Sequence, residues 1–192
     1  MAIPALVEGH LDSVFLPTLL FQIGRSDLDL TIRNAGGGSK FWLDAKRYND
    51  AARHQQMIGL ADLEQYACAP TLIGNELPNK NPGFHLRIAV RMLESWLIAD
   101  RKSIAAFLRV SISAVPVAPD TEQHPKRKLV EIAGRSTRRA IREAMVPGDS
   151  GATVGPDYVA TMSEFVREHW QVSAAQCNSP SLASACMRWA AI

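Results

Sequence analysis

The chain has 192 residues, of which 47% are hydrophobic and 21% are charged, and its formal net charge at pH 7 is +2. This is the composition of an ordinary globular protein, and a chain of this length can bury a core without disulfide staples. The sequence starts with no secretory signal pattern, its apolar runs are too short to cross a membrane, and its three cysteines lack metal-ligand spacing. We therefore expect a cytoplasmic protein without a membrane partner.

Up to about residue 90, strand and helix patterns alternate. A glycine-rich loop at 34–39 separates the second strand from the second helix. This order favours an α/β fold, a Rossmann-like and mostly parallel sheet flanked by helices. Strands are predicted over 2–7, 28–33, 56–61 and 84–90, the last also being compatible with the lead into a helix, and helices over roughly 12–23, 42–54 and 65–77.

The second half of the chain has mainly helical spacing. A loop with two prolines at 110–123 divides this half. The pattern indicates an α/β core over 1–110 and a helical C-terminal extension over 111–192, packed on the core as one compact unit. Helices are predicted over 92–108, 124–133, 136–145, 156–170 and 180–190.

Acidic residues directly follow the first and third predicted strands. Glu8 follows the apolar run 2–7, and Asp62 follows the run 56–61, with Glu64 two positions further on. If the two strands are parallel neighbours, their carboxyl ends meet at one edge of the sheet, where open α/β sheets bind ligands. Buried acids need a compensating partner, and several carboxylates aimed at one point suit Mg²⁺ or Mn²⁺. The sequence therefore predicts a metal site formed by Glu8, Asp62 and Glu64.

The residues after the first acid could assist this site. Gly9 permits a tight turn and the close approach of a phosphate, and His10 lies between two acids. Asp12 lies at the predicted start of the first helix, where capping of that helix is favoured over a contact with the metal. Asp62 could likewise cap the helix that follows it, and Glu64 could simply be solvated.

Two further acids, Glu94 and Asp100, lie in the apolar stretch 93–100. They are about one and two-thirds helical turns apart and therefore point in different directions. Glu94 is expected nearer to the site, as a catalytic residue. Asp100 is expected further away, where it would support the metal ligands or a substrate phosphate without binding the metal itself. The structural alternative is that Glu94 pairs with Arg87 or Arg91.

Basic residues cluster at 124–142, where Glu131 is the only acid. Such a cluster can follow a phosphate backbone, or it can form a solvated helical face, and the sequence favours neither. Lys126, directly after Pro125, is the residue expected nearest to a substrate phosphate or to an acid of the site. If the cluster does follow a phosphate backbone, the partner is a nucleic acid, which is the partner we expect for this chain.

A strand that ends in Glu-Gly, followed by a later strand that ends in Asp-x-Asp or Asp-x-Glu, resembles the Toprim domain. That domain is found in primases, topoisomerases and overcoming-lysogeny-defect nucleases. The resemblance implies that Glu8 takes part in acid–base chemistry and that Asp62 and Glu64 hold Mg²⁺ at a phosphodiester. Toprim domains usually have Asp at the second position of the pair, and the extra methylene of Glu64 shifts its carboxylate outward.

The rest of the chain is similar to a Toprim-like bacterial family that is catalogued as a domain of unknown function. The similar motifs are a Glu-x-Trp-Leu-x-x-Asp stretch from Glu94 to Asp100, the Pro125-Lys126 step, and Ser-Pro-Ser-Leu at 179–182. Members of that family are often encoded beside ATPases of the AAA or ABC kind. The resemblance therefore implies a separate ATPase partner and a role in phage defence or in a mobile element.

Two functions are expected from these observations. The first is a Mg²⁺-dependent (or Mn²⁺-dependent) Toprim-like nuclease that hydrolyses phosphodiesters together with a separate ATPase. The second is a non-catalytic Toprim-like subunit that binds or regulates such an ATPase. A third interpretation, in which the acids are purely structural, is the least favoured. The sequence leaves the substrate open (DNA, RNA or tRNA) and is compatible with a homodimer.

Overall fold

The computed structural model describes residues 2–148 and 151–192. At its centre is a four-stranded sheet with the strand order β2-β1-β3-β4, in which every neighbouring pair is parallel. The predicted α/β, Rossmann-like fold with a parallel sheet flanked by helices is thus confirmed. The strands are β1 (Ile3–Val7), β2 (Leu30–Asn34), β3 (Met57–Asp62) and β4 (Phe84–Ala89).

Helices connect the strands and make up most of the second half of the chain. Two short 3₁₀ turns, at 112–114 and 119–121, lie in the predicted proline-rich connection. No single helix within residues 2–148 and 151–192 combines the length and the apolar character needed to cross a membrane. The helices are α1 (His10–Gln22), α2 (Gly38–Ala51), α3 (Ala69–Glu76), α4 (Leu93–Ala99), α5 (Arg101–Leu108), α6 (Pro125–Gly134), α7 (Arg139–Met145), α8 (Tyr158–Glu168), α9 (Val172–Ala175) and α10 (Pro180–Trp189).

Two helix boundaries differ from the prediction in ways that affect the site. Helix α1 begins two residues early because Gly9 is its N-cap, and Asp12 closes the first turn by accepting a hydrogen bond from the Gly9 N–H at 3.0 Å. The helix predicted over 92–108 is divided in two at Asp100, whose backbone leaves the helical region and whose side chain accepts from the Ser103 N–H that opens α5. The expectation that Asp12 caps α1 as its first residue is therefore wrong.

Apolar side chains form a separate core on each face of the sheet. On one face, α2 and α3 cover a smaller core around Phe41 and Phe84. On the other face, α1 and the helices of the second half share a larger core that contains three fully buried tryptophans, Trp96, Trp170 and Trp189. The C-terminal helices thus bury their apolar sides against the same sheet face as α1.

The buried indole N–H groups connect distant parts of the chain. Trp96 Nε1 donates to Ser181 Oγ at 2.7 Å, Trp170 Nε1 donates to the Trp96 carbonyl at 3.1 Å, and Trp189 Nε1 donates to the His85 carbonyl at 3.0 Å. A buried indole N–H needs such a partner, so these bonds fix how α4 and α10 lie against the sheet. The position of α4 in turn fixes Glu94.

Gly59, in the middle of β3, leaves no room for a side chain. A Cβ at this position would lie 2.8 Å from Phe84 Cε2 and 2.9 Å from Leu86 Cδ1. We expect Gly59→Ala to destabilise the protein by about 1–3 kcal/mol through overpacking, measured as a lower melting temperature or denaturation midpoint. The control is Gly74→Ala in α3, where a Cβ meets nothing within 4 Å. That substitution should stabilise by about 0.5–1 kcal/mol, and equal effects of the two variants would contradict the packing described here.

Candidate metal centre

The carboxyl ends of β1 and β3 meet, as the sequence predicts for parallel neighbours. Val7 of β1 pairs with Leu60 of β3, so Glu8 and Asp62 leave the sheet side by side. The Asp62 backbone N–H donates to Glu8 Oε1 at 3.0 Å. Glu8 is only 9% exposed, and this bond fixes one of its two oxygens. The other oxygen, Oε2, is therefore available to solvent or to a ligand.

Asp12 adds a third carboxyl from the first turn of α1. Its Oδ2 accepts from the Gly9 N–H, while its Oδ1 is buried without a hydrogen-bond partner in the described part of the chain. The residue is 7% exposed. An unsatisfied buried acceptor costs about 1–3 kcal/mol, so this oxygen is suited to receive a ligand.

Glu94 supplies the fourth carboxyl, from the start of α4. The Leu93 N–H, next to it, donates to Asp62 Oδ1 at 2.8 Å, which places the beginning of α4 against the end of β3. Glu94 is 3% exposed, and its Oε1 accepts from the Tyr158 hydroxyl at 3.0 Å and lies 3.4 Å from Lys126 Nζ. The structural alternative of an ion pair with Arg87 or Arg91 is not observed among the ion pairs of the described residues.

These four residues, Glu8, Asp12, Asp62 and Glu94, are called the acid cluster below. Three of them, Asp12, Asp62 and Glu94, line a cleft of about 190 Å³ together with Lys126 and Tyr158. Gly9 and His10 lie on the wall of the same cleft. The structure therefore brings together seven of the nine residues that the sequence singled out: Glu8, Gly9, His10, Asp12, Asp62, Glu94 and Lys126.

The electrostatics of the acid cluster favour protonation of its carboxyls when no cation is bound. Burial raises the pKa of Glu8 to about 7, and the neighbouring Glu64 adds to the effect. Burial, followed by the charges of Glu94 and Glu8, raises the pKa of Asp12 to about 7. The pKa of Asp62 is also raised well above its ordinary value, by burial and then by Asp12, Glu94 and Glu8.

Lys126 is the only cation within ion-pair distance of the acid cluster among the residues that the structure describes. Burial lowers the pKa of Lys126, but the nearby Glu94, Asp62 and Asp12 outweigh that effect and raise it. One positive charge therefore faces four carboxyl groups. A divalent cation would compensate for the excess, because hard oxygen ligands of this kind are those that Mg²⁺ and Mn²⁺ prefer.

The spacing of the acid cluster limits how it could hold an ion. One group of three side chains within residues 2–148 and 151–192 brings all of its potential ligand atoms within 4.8 Å of one another. It consists of Glu164, Glu168 and His169, which are exposed at the end of α8. No three members of the acid cluster are that close. Mg²⁺ commonly uses only one or two carboxylates and keeps several waters. In such a mode Oδ1 of Asp12 and the carboxyl of Asp62, which line the same cleft, would be the direct ligands.

Glu64 occupies a different cleft from the one that Asp62 lines. Its backbone is in the left-handed region (φ 50°), which an extended Asp-x-Glu segment would not require. Its carboxyl lines a cleft of about 260 Å³ with Gly38 and Lys46. A Cβ on Gly38 would lie 3.5 Å from both Glu64 Oε1 and Glu8 Oε2, so Glu64 approaches Glu8 and does not join Asp62 in the cleft of the acid cluster.

Asp100 lies outside the acid cluster. One oxygen accepts from the Ser103 N–H and the other from the Gln171 N–H at 2.8 Å. Both bonds are to backbone groups that begin helical segments, and the residue is fully buried. The structure therefore gives Asp100 a role in joining α5 to the segment before α9.

Tyr158 contacts the acid cluster, a position that no local sequence pattern predicts. It is the first residue of α8, and its hydroxyl binds Glu94 at 3.0 Å. Burial, and then the charge of Glu94, raises the pKa of this phenol well above its ordinary value, so it acts as a hydrogen-bond donor. A single tyrosine 64 positions from its partner leaves no local signal in the sequence.

Much of the basic segment 124–142 is paired on its own helices. Arg127 and Lys128 lie within ion-pair distance of Glu131 in α6, and Arg139 pairs with Glu143 in α7. These pairs are exposed and contribute little to stability. Lys126 differs from them because it points to the acid cluster.

No family model, no curated protein and no solved structure matches the chain. The function is therefore argued from the geometry and the charges of the acid cluster.

The raised pKa of Asp12 predicts a specific pH dependence of stability without metal. An unfolded Asp titrates near pH 3.9, whereas the folded Asp12 titrates near 7, so the folded state binds the proton more tightly. The resulting stabilisation is complete below about pH 4 and is lost as the pH rises through about 7. In EDTA, the wild type should lose about 1 kcal/mol or more of unfolding free energy between pH 5.5 and pH 8, relative to Asp12→Asn, in urea titrations. Parallel pH profiles of the two proteins would contradict the burial of this carboxyl.

Proposed function

We propose that the protein is a Mg²⁺- or Mn²⁺-dependent phosphodiesterase, a nuclease of the Toprim-like kind, whose centre is the acid cluster. The observation that carries the proposal is the imbalance of charge among the described residues: four largely buried carboxyls face a single lysine, and one carboxyl oxygen of Asp12 has no partner there. Such a site is costly to maintain unless it binds a cation. The three cysteines are free thiols, which supports the proposal that the protein acts in the reducing cytoplasm.

Each side chain has a role that its contacts support. Asp62 and Asp12 offer the carboxylate oxygens that would hold the ion, which when bound supplies a water of lowered pKa and neutralises charge on the leaving oxygen. Glu8, with a pKa raised to about 7, is matched to proton transfer near neutral pH. Tyr158 and Lys126 hold Glu94 in place, and the charge of Lys126 is available to a substrate phosphate.

A larger cavity next to the acid cluster offers room for a substrate. It measures about 610 Å³ and shares Lys126 and Thr153 with the cleft of the acid cluster. Its wall carries Lys126 and Arg127, with one acid, Glu131, beside the apolar Val130. Positive groups next to apolar surface suit a nucleotide chain, because the phosphates need cations and the bases need apolar contact.

The second candidate function is a metal-binding subunit without catalytic activity. Two observations favour it: Glu64 lines a separate cleft, and no three acids of the cluster lie within 4.8 Å of one another. The proposed ATPase partner and the defence setting come from the sequence resemblance alone. The two functions differ in one measurable respect, since both bind the ion and only the nuclease cuts.

The metal site is tested by calorimetric titration with Mn²⁺. Asp62→Asn keeps the oxygen that accepts from Leu93 but removes the charge, and it should weaken Mn²⁺ binding about 10-fold or more. The matched control is Asp50→Asn, the same change on an exposed helical position, which should leave the affinity unchanged. Glu64→Gln should have a smaller effect than Asp62→Asn. If Asp62→Asn and Asp50→Asn bind Mn²⁺ equally well, the proposed site is wrong.

The nuclease activity is tested with plasmid, single-stranded DNA and RNA in Mn²⁺. Glu8→Gln keeps the oxygen that accepts from the Asp62 N–H but cannot take a proton, so cleavage should fall about 10²–10⁴-fold while Mn²⁺ still binds. Asp62→Asn prepared in the same way controls for contaminating nucleases. Wild-type protein that binds Mn²⁺ yet cuts none of the substrates, alone or with the neighbouring ATPase, would favour the non-catalytic subunit.

A further inference from the structure

A group of basic side chains lies at the open edge of the sheet, outside the acid cluster. β4 is the outermost strand, and His85 and Arg87, two positions apart, lie on the same face of it. α10 packs on that face, where the Trp189 indole binds the His85 carbonyl and brings the neighbouring Arg188 to the strand. Lys80 reaches the same strand by donating to the Phe84 carbonyl at 2.7 Å. Lys80, His85, Arg87 and Arg188 are called the cationic edge below.

The cationic edge has no acidic partner in the described part of the chain. None of its four residues takes part in an ion pair there, although arginines elsewhere on the surface, such as Arg25 and Arg33, do. Within residues 2–148 and 151–192, the buried Arg87 Nε has no hydrogen-bond partner. A guanidinium N–H that is removed from water without an acceptor is costly, as is the gathering of like charges.

The charged side chains of the cationic edge repel one another. Burial, and then the charge of Arg188, lowers the pKa of Arg87, and burial followed by Arg87 lowers that of Lys80. The pKa of His85 is lowered by burial and then by Lys80 and Arg87. At neutral pH the cationic edge therefore carries three charges, on the lysine and the two arginines, and an external anion would offset them.

We infer that the cationic edge is a binding site for phosphate groups. Arginine forks match phosphate oxygens with two parallel hydrogen bonds, and the lysine adds a compact charge. A phosphate presents more negative charge and more acceptor oxygens than a single carboxylate, so it is better able to neutralise three neighbouring cations. Arg188 is exposed and the other three side chains are half-buried, so an anion can enter from solvent and still meet groups held by the fold.

Two sources could supply the phosphate: the backbone of a nucleic acid, or a small phosphate compound. Both present the same oxygens to the two arginines. The cationic edge shares no residue with the acid cluster, so it extends what the protein binds beyond the proposed cleavage centre. Its test requires neither metal nor catalysis, and its failure would leave the proposed nuclease activity untouched.

The test measures thermal unfolding with pyrophosphate in EDTA, on the full chain. Pyrophosphate at saturating concentration should raise the melting temperature of the wild type by at least about 2 °C. Arg188→Gln, at an exposed position, should abolish most of that shift, and Arg87→Gln should do the same if it folds. Arg167→Gln, an exposed arginine of α8, is the matched control and should keep the full shift.

Further arms identify the anion and its source. Succinate at the same ionic strength should give no shift, and a shift equal to that of pyrophosphate would overturn the inference in favour of carboxylates. Equal pyrophosphate shifts in the wild type and Arg188→Gln, or none in either, would also overturn it. Anisotropy of a labelled oligonucleotide then separates the two sources: binding weakened about fivefold or more by Arg188→Gln indicates a nucleic-acid backbone, and unchanged binding indicates a small phosphate compound.

Discussion

Four carboxyl groups share a small and largely water-free space with one lysine, and most of the local structure exists to hold them there. Asp62 is central because it connects three elements: its N–H binds Glu8 after β1, its carboxyl holds the start of α4, and its side chain faces Asp12 of α1. The free energy spent on burying these charges is recovered if a cation joins them. In the proposed function, this cation completes the site that the fold positions.

The net charge of +2 conceals two strong local fields of opposite sign. The acid cluster gathers negative charge where β1 and β3 end, whereas the cationic edge gathers positive charge along β4 and α10. In both, burial is the first cause of the pKa shifts and like-charged neighbours are the second. Both also contain a buried polar atom that has no partner in the part of the chain that the structure describes, Asp12 Oδ1 in one and Arg87 Nε in the other. Each field therefore indicates a ligand of the opposite charge.

β1, β3 and the meeting of Glu8 with Asp62 could be predicted from the sequence, because buried parallel strands are continuous apolar runs whose ends are marked by the first charged residue. The side chains further from the strands could not. Glu64 was expected beside Asp62 on extended backbone, but its left-handed φ turns it into another cleft. Asp12 was expected mainly as a cap, and only its second oxygen, enclosed by distant elements, gives it a different role. Tyr158 and the break at Asp100 depend on packing between segments far apart in the chain, which no local pattern reports.

The central claim is that a cation binds between Asp12 and Asp62, and it is tested most directly by a crystal grown with Mn²⁺ and measured for anomalous scattering. The account predicts a peak in the cleft of the acid cluster, within about 2.5 Å of carboxylate oxygens of Asp12 and Asp62. A peak only at Glu64, or only at the exposed group of Glu164, Glu168 and His169, with the cleft of the acid cluster empty, would contradict it.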